Sequence, residues 1–121
     1  MGKNPPKVRL ATIEPLQDRF RHGKETWSVA RLIDDTKHLK PFNAPLASLD
    51  LSGEIWSGNN MADMAYHCKK VAKADLSRPI IITWDGSIAD GRHRIIKALM
   101  LGKRTIKAVR MQWKPTPCGE D

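Results

Sequence analysis

The segment over residues 78–111 constrains the fold of this chain more than any other part. Its apolar runs and turn residues predict five consecutive elements. These are a strand at 79–84, a tight turn at 85–86, a second strand ending at 90, a helix beginning at 91 and a last strand at 105–111. The Asp85-Gly86 pair predicts the turn, because glycine readily supplies the positive φ that a two-residue hairpin needs.

The start of the predicted helix concentrates positive charge. Asp90 is expected to cap the helix, and Gly91 allows the backbone to approach a ligand closely. The first turn then contains Arg92, His93 and Arg94. A helix N-terminus already carries a partial positive charge and free N–H groups, so basic side chains there cost stability unless an anion binds. The sequence therefore predicts an anion site, with phosphate as the favoured ligand.

These residues resemble the ParB/sulfiredoxin-like superfamily. The pattern that carries the resemblance comprises Pro79-Ile80-Ile81, Gly86, Asp90-Gly91-Arg92-His93-Arg94, Ala98-Leu99, Gly102 and the closing strand. The resemblance implies a small α+β domain in which a mixed sheet packs against two to four helices. It also implies that nucleotide phosphates bind at the turn between strand and helix.

Differences from the superfamily pattern indicate which branch of the superfamily the chain resembles. Sulfiredoxins place their catalytic cysteine at the position of Arg92, so repair of cysteine sulfinic acid is not expected here. Partition proteins place a glutamate at that position and add further motifs and domains that this sequence lacks. The chain is most similar to the Asp-Gly-x-His-Arg branch, which includes free-serine kinases.

That branch implies a set of site residues. Gly91, Arg92, His93 and Arg94 would bind the phosphates of a nucleoside triphosphate or diphosphate. Bracing the turn is the alternative role for His93. Asp90 would serve catalysis by orienting an acceptor hydroxyl or holding Mg²⁺, since a carboxylate beside a phosphate needs a cation between them. Glu54 loosely matches the glutamate that acts as catalytic base in the kinases. A surface glutamate in a turn is the alternative for Glu54.

The formal charge of +8 is unevenly distributed. It sums to +4 over residues 1–24, −2 over 25–90, +8 over 91–114 and −2 over the remainder. A second set of contacts, to the phosphates of DNA or RNA, is therefore predicted for the basic region. This set consists of Arg92, Lys97, Lys103, Arg104, Lys107 and Arg110. A solvated basic surface is the alternative reading.

Three functions remain open from the sequence. The first is nucleotide binding, with Mg²⁺-dependent phosphotransferase or nucleotide hydrolase activity. The second is a DNA-binding or RNA-binding accessory protein, or a nuclease, of a plasmid, phage or partition system. The third is a protein-interaction module whose phosphate site is idle.

The length of 121 residues predicts one domain. We expect a basic arm with a short strand, over 7–13, at residues 1–25, the ParB/sulfiredoxin-like domain at 26–114 and a flexible tail at 115–121. No apolar run approaches the roughly 18 residues of a membrane span. The first residues lack the apolar core of a signal peptide, and the two cysteines lack a metal-binding spacing. A cytoplasmic protein without a membrane partner is expected.

Periodicity predicts further elements outside the central segment. Thr26 is expected to cap a helix over 27–37, with Trp27 in the core or as a hydrophobic lid. Residues 45–51 are expected to form a strand, and Asn60 to cap a helix over 61–74. An apolar stripe on this last helix is expected to face the core, with Cys68 as an inert buried thiol. The stripe consists of Met61, Met64, Ala65, Cys68, Val71 and Ala72.

Overall fold

The computed structural model describes residues 6–7, 19–53 and 60–120. These residues form three α-helices and two sheets, a small α+β fold as predicted. The helices are α1 (Val29–Thr36), α2 (Met61–Lys73) and α3 (Arg92–Met100). The strands are β1 (Arg19–His22), β2 (Glu25–Ser28), β3 (Phe42–Pro45), β4 (Ile80–Ile82), β5 (Ile88–Asp90), β6 (Thr105–Arg110) and β7 (Gly119–Glu120). The strand predicted at 7–13 lies outside the described residues except at Lys7.

The larger sheet is mixed and has the order β3-β6-β4-β5. Strand β4 pairs in parallel with β6 and antiparallel with β5, while β3 pairs antiparallel with β6. The smaller sheet is antiparallel with the order β1-β2-β7. Helix α3 connects β5 to β6, which places its N-terminus at one end of the central strands.

The larger sheet has a hydrophobic core on each face. Along β4, Ile80 and Ile82 belong to the core that includes Ile95 and Ala98 of α3. Between them, Ile81 belongs to a second core formed with α1 and the smaller sheet. Because side chains alternate along a strand, the continuous Ile80-Ile81-Ile82 run indicates a strand buried on both faces.

The turn after β4 is longer than predicted. The Thr83 N–H donates to the Ser87 carbonyl at 2.9 Å, and the Gly86 N–H donates to the Thr83 carbonyl at 3.1 Å. Three residues, Trp84, Asp85 and Gly86, therefore form the loop, and Gly86 adopts a φ of 89° at its end. Glycine has the predicted positive φ, but the two-residue hairpin is wrong because the loop is a β-turn followed by a left-handed residue.

Two predicted elements near the N-terminal half are corrected. Helix α1 is capped by Ser28, whose Oγ accepts from the Arg31 N–H, while Thr26 and Trp27 lie in β2. Trp27 is fully buried, as predicted. The strand lies at 42–45 instead of 45–51, because Leu46–Ser48 turns into a 3₁₀-helix once the β3 pairing with β6 ends.

The segment after residue 114 packs on the smaller sheet. The Trp27 indole N–H donates to the Pro115 carbonyl at 3.0 Å, and the Cys118 N–H donates to the Thr26 carbonyl at 2.8 Å. Strand β7 then pairs with β2. The expectation of a flexible tail is therefore wrong for residues 115–120, because the buried indole requires an acceptor that this segment provides.

Helix α2 begins where predicted but buries a different face. The Asn60 Oδ1 accepts from the Asp63 N–H at 2.9 Å, which confirms the cap. The buried residues are Tyr66, His67 and Val71, whereas Met61 is 92% exposed. Cys68 is also exposed, so the buried thiol is wrong, and the inward stripe is wrong except at Val71. No helix among the described residues is both long and apolar enough to cross a membrane.

Candidate functional site

The N-terminus of α3 depends on Gly91. This residue has a φ of 114°, and a Cβ added to it would lie 2.4 Å from Cγ2 of Ile80. Gly91 is also the helix cap, and as a glycine it has no side chain that could accept from the first-turn N–H groups. The prediction that Asp90 caps the helix is wrong, because its carboxylate is paired with Arg94 instead. The first turn therefore combines uncapped N–H groups with a close approach of backbone to β4.

Arg94 faces β4 and the α1 side of the sheet. One guanidinium nitrogen donates to the carbonyls of Arg78 at 3.1 Å and Pro79 at 2.7 Å, and the other lies 2.8 Å from an Asp90 carboxylate oxygen. The two side chains are only 12% and 20% exposed. Asp90 and Arg94 line a cavity of about 330 Å³ with Ile33 and Val109. Their geometry holds the helix N-terminus against the strand.

His93 faces α2 instead. Its Nε2 lies 2.9 Å from the Nδ1 of His67, and the two rings stack with an interplanar angle of 20°. Burial lowers the pKa of His93, and the neighbouring His67 and the cations of Lys70 and Arg94 lower it further, against the opposing effect of Asp90. Burial also lowers the pKa of His67. A neutral pair therefore connects the two helices.

Arg92 is the exposed member of the turn and lines a cleft of about 390 Å³. The cleft lies between α3, the β4–β5 turn and the segment around residues 50–53. One wall is apolar and consists of Ile88, Ile95, Ile96 and Leu99. The rim is polar and consists of Asp50, Asp85, Gly86, Ser87 and Arg92. An apolar wall beside a few convergent polar groups is typical of a small-molecule site.

The carboxylates of the rim are held ionised. Hydrogen bonds from the Thr83 hydroxyl, His22 and the Ser87 N–H lower the pKa of Asp85 well below its usual range. The Ser52 hydroxyl and N–H lower the pKa of Asp50. The cleft therefore combines the positive charge of Arg92 with two fixed negative charges.

The three basic residues predicted to bind phosphate contact three different parts of the molecule. Successive helical residues point about 100° apart, so Arg92, His93 and Arg94 contact the cleft, α2 and β4 respectively. The structure brings Arg92 together with Asp50 and Asp85, and it places Asp90 with Arg94. Glu54 lies outside the described residues.

The residues predicted to contact nucleic acid also lie in different parts of the structure. The Lys97 ammonium donates to the Ala72 and Ala74 carbonyls at the end of α2, at 3.0 and 2.8 Å. Arg110 lies 3.5 Å from the Trp84 carbonyl. Lys103 and Lys107 line a separate pocket, and Arg104 is exposed nearby in sequence.

Sequence reasoning missed Asp50, Asp85 and the apolar wall. Arg92, Ile96 and Leu99 recur at helical spacing, so a shared face could have been found from periodicity. The sequence indicates Asp85 only as a turn residue, whereas the β4–β5 hairpin brings it to the cleft. Asp50 follows a 3₁₀-helix that the sequence did not indicate.

Comparison with known proteins does not identify a family or a function for this site. No protein-family model, curated protein or solved structure matches the chain. The resemblance to the ParB/sulfiredoxin-like superfamily thus stays a prediction. Within the described part of the chain, no three His, Cys, Asp or Glu side chains gather as a metal site.

Proposed function

We propose that this chain binds a nucleotide in the Arg92 cleft, with its phosphates at the N-terminus of α3. The observation that carries the proposal is the position of Arg92. Its side chain lines the cleft from the first turn of a helix that has no side-chain cap and no acidic residue in that turn. A phosphate placed there meets a guanidinium and the partial positive charge of a helix terminus together.

The shape of the cleft fits the rest of a nucleotide. The apolar wall formed by Ile95, Ile96 and Leu99 can pack against the flat face of a base. The Ser87 hydroxyl and the ionised Asp85 lie on the opposite rim, where they can accept hydrogen bonds from ribose or base. A phosphate ligand without an apolar part would leave this wall unused.

Binding is proposed to depend on Mg²⁺. Asp50 and Asp85 line the same cleft as Arg92, and two ionised carboxylates repel a polyphosphate unless a cation lies between them. In this proposal the metal role predicted for Asp90 passes to Asp50 and Asp85, since Asp90 lines a different cavity from Arg92. With an acceptor in the cleft, the same arrangement would support phosphotransferase or nucleotide hydrolase chemistry, which requires mainly positioning and charge neutralisation.

Thermal denaturation with ATP, ADP, CTP and GTP, each with and without Mg²⁺, tests the proposal. A ligand at one hundred times its Kd adds about 2.7 kcal/mol to the free energy of unfolding. We expect one nucleotide to raise the melting midpoint by several degrees with Mg²⁺, and Arg92→Ala to abolish the increase. Lys103→Ala is the matched control, because it also removes an exposed cation. If no nucleotide shifts the midpoint, or if both variants behave alike, the proposal is wrong.

A second candidate function is nucleic-acid binding through the basic segment around β6. Lys103, Arg104 and Lys107 are exposed, and none of them forms an ion pair with another described residue. Affinity for DNA or RNA should then fall steeply with salt, by a slope of about 0.9 per phosphate contacted on duplex DNA. Lys107→Ala should reduce that slope by about one, whereas Lys97→Ala should leave it unchanged.

A further inference from the structure

The outward side of α2 is an apolar surface, which we call the α2 outer face. It consists of Met61, Met64, Ala65, Cys68 and Ala72, and all five are exposed. Their spacing places them on adjoining turns along one side of the helix. Met64 is 47% exposed in addition to the nearly complete exposure of Met61. These five side chains have the pattern of a buried helix face, but they belong to neither hydrophobic core of the described residues.

The opposite side of α2 fixes this face in place. Tyr66, His67 and Val71 are buried, and the hydrogen bond between His67 and His93 connects the helix to α3. Asn60 caps the N-terminus of the helix, and Lys97 binds the carbonyls at its C-terminus. The outer face is therefore presented by a helix held at both ends, so little ordering is required when a partner binds.

The charged side chains that α2 itself places beside the outer face are all positive. Lys69 and Lys73 follow the stripe at angles that place them along one edge, and Lys70 lies further round the helix. All three are exposed. The single acidic residue of α2, Asp63, is half-buried in the first turn. A partner with acidic side chains beside its own apolar stripe would complement this arrangement.

We propose that the α2 outer face docks an amphipathic helix of another protein that carries an apolar stripe with an acidic edge. The small side chains of Ala65, Cys68 and Ala72 allow a second helix to approach closely, while Met61 and Met64 adapt to its surface. The face lacks the Trp, Phe and Leu side chains that bury a helix in a lipid interface. A second copy of the chain would bring Lys69 and Lys73 together with their own copies on a protein of formal charge +8. This surface is independent of the Arg92 cleft.

A pair of synthetic helical peptides tests the proposal. Both carry Leu and Ala at helical spacing; one has glutamates along the edge and the other has lysines. Fluorescence anisotropy with the full chain should show binding of the glutamate peptide and at least about tenfold weaker binding of the lysine peptide. Ala65→Glu, which introduces a charge at an exposed helical position without removing a buried group, should weaken binding of the glutamate peptide at least about tenfold.

Reversing the charge of Lys69 and Lys73 tests the proposed charge complementarity more directly. The double variant Lys69→Glu with Lys73→Glu should exchange the preference, so that the lysine peptide binds better. Lys103→Glu, a single reversal outside α2, should leave the ratio of the two affinities unchanged. Circular dichroism and the melting midpoint check that each variant is folded.

Three results would overturn the proposal. The first is an absence of preference between the two peptides. The second is binding to vesicles of anionic phospholipid that Ala65→Glu abolishes while neither peptide binds, which would indicate a membrane surface. The third is a concentration-dependent dimer in sedimentation that Ala65→Glu disrupts, which would indicate a second copy of the chain.

Discussion

The Nδ1 of His67 lies 2.9 Å from the Nε2 of His93, and this contact joins α2 to the first turn of the phosphate-binding helix proposed above. Two neutral imidazoles can share such a hydrogen bond, because one ring donates and the other accepts. Protonation of both rings would remove the acceptor and place two positive charges side by side. The burial that lowers the pKa of each histidine keeps the pair neutral near pH 7.

This pair predicts that the protein loses stability in mild acid. Both folded-state pKa values lie below the unfolded value of about 6.5, so the unfolded chain binds more protons as the pH falls through that value. The free energy of unfolding should therefore fall from pH 7.5 to pH 5.5. His67→Gln and His93→Gln should reduce this pH dependence in denaturant melts. His38→Gln, which alters a ring stacked on Trp113, is the control. An equal pH dependence in all four proteins would contradict the prediction.

A side chain at position 91 is predicted to destabilise the fold. Gly91→Ala should lower the free energy of unfolding by about 3 kcal/mol. A non-glycine residue in this conformation costs roughly 1–3 kcal/mol, and overlap with Ile80 adds about 1–3 kcal/mol. Gly86→Ala is the matched control, because Gly86 has a φ of 89° with open space around it. It should cost only about 1–2 kcal/mol. Chemical denaturation measures both, and equal losses would show that the contact with Ile80 is unimportant.

Substitution of Lys97 is predicted to reduce stability more than substitution of Lys103, although both lysines belong to the basic segment. Lys97→Met should lower the free energy of unfolding by about 1–2 kcal/mol, because the α2 carbonyls lose a charged donor. Lys103→Met should change it by less than about 0.5 kcal/mol, since the side chain is exposed. Urea denaturation compares the two. Comparable stability of both variants would mean that the Lys97 contacts contribute nothing.

Because the C-terminal segment packs on the smaller sheet, a longer truncation of it should cost more stability than a shorter one. A chain ending at Lys114 removes the carbonyl that accepts from the buried Trp27 indole. We expect a loss of about 2–4 kcal/mol, from an unpaired indole N–H at roughly 1–3 kcal/mol and from exposed apolar surface. A chain ending at Cys118 retains Pro115 and loses only β7 and the last residue, so its loss should be smaller. Unfolding followed by tryptophan fluorescence distinguishes the two, and equal losses would exclude a role for the indole contact.

The central part of the fold could be predicted because local signals agree with one another. The continuous isoleucines of β4, the Asp-Gly turn and the glycine before α3 each favour the same order of elements. Asn60 likewise starts α2 where the sequence predicts. In these places a residue determines the backbone of its immediate neighbours.

The remainder depends on contacts between residues distant in sequence. The face that α2 buries includes His67, which contacts α3, whereas the apolar stripe predicts a face of which only Val71 is buried. The docking of Pro115 depends on Trp27, far earlier in the chain. The site was only partly predictable because Asp50 and Asp85 reach Arg92 through the fold, while Asp90 and Arg94 turn away from it.

A titration of the ¹⁵N-labelled protein followed by NMR tests the central claim most directly. With the nucleotide that stabilises the protein and Mg²⁺, the account predicts the largest amide shifts at Arg92, His93 and Gly86, at the N-terminus of α3 and in the facing turn. The shifts should disappear in Arg92→Ala and persist in Lys103→Ala. Shifts confined to Lys103, Arg104 and Lys107, or unchanged amides around the Arg92 cleft at saturating nucleotide, would contradict the account.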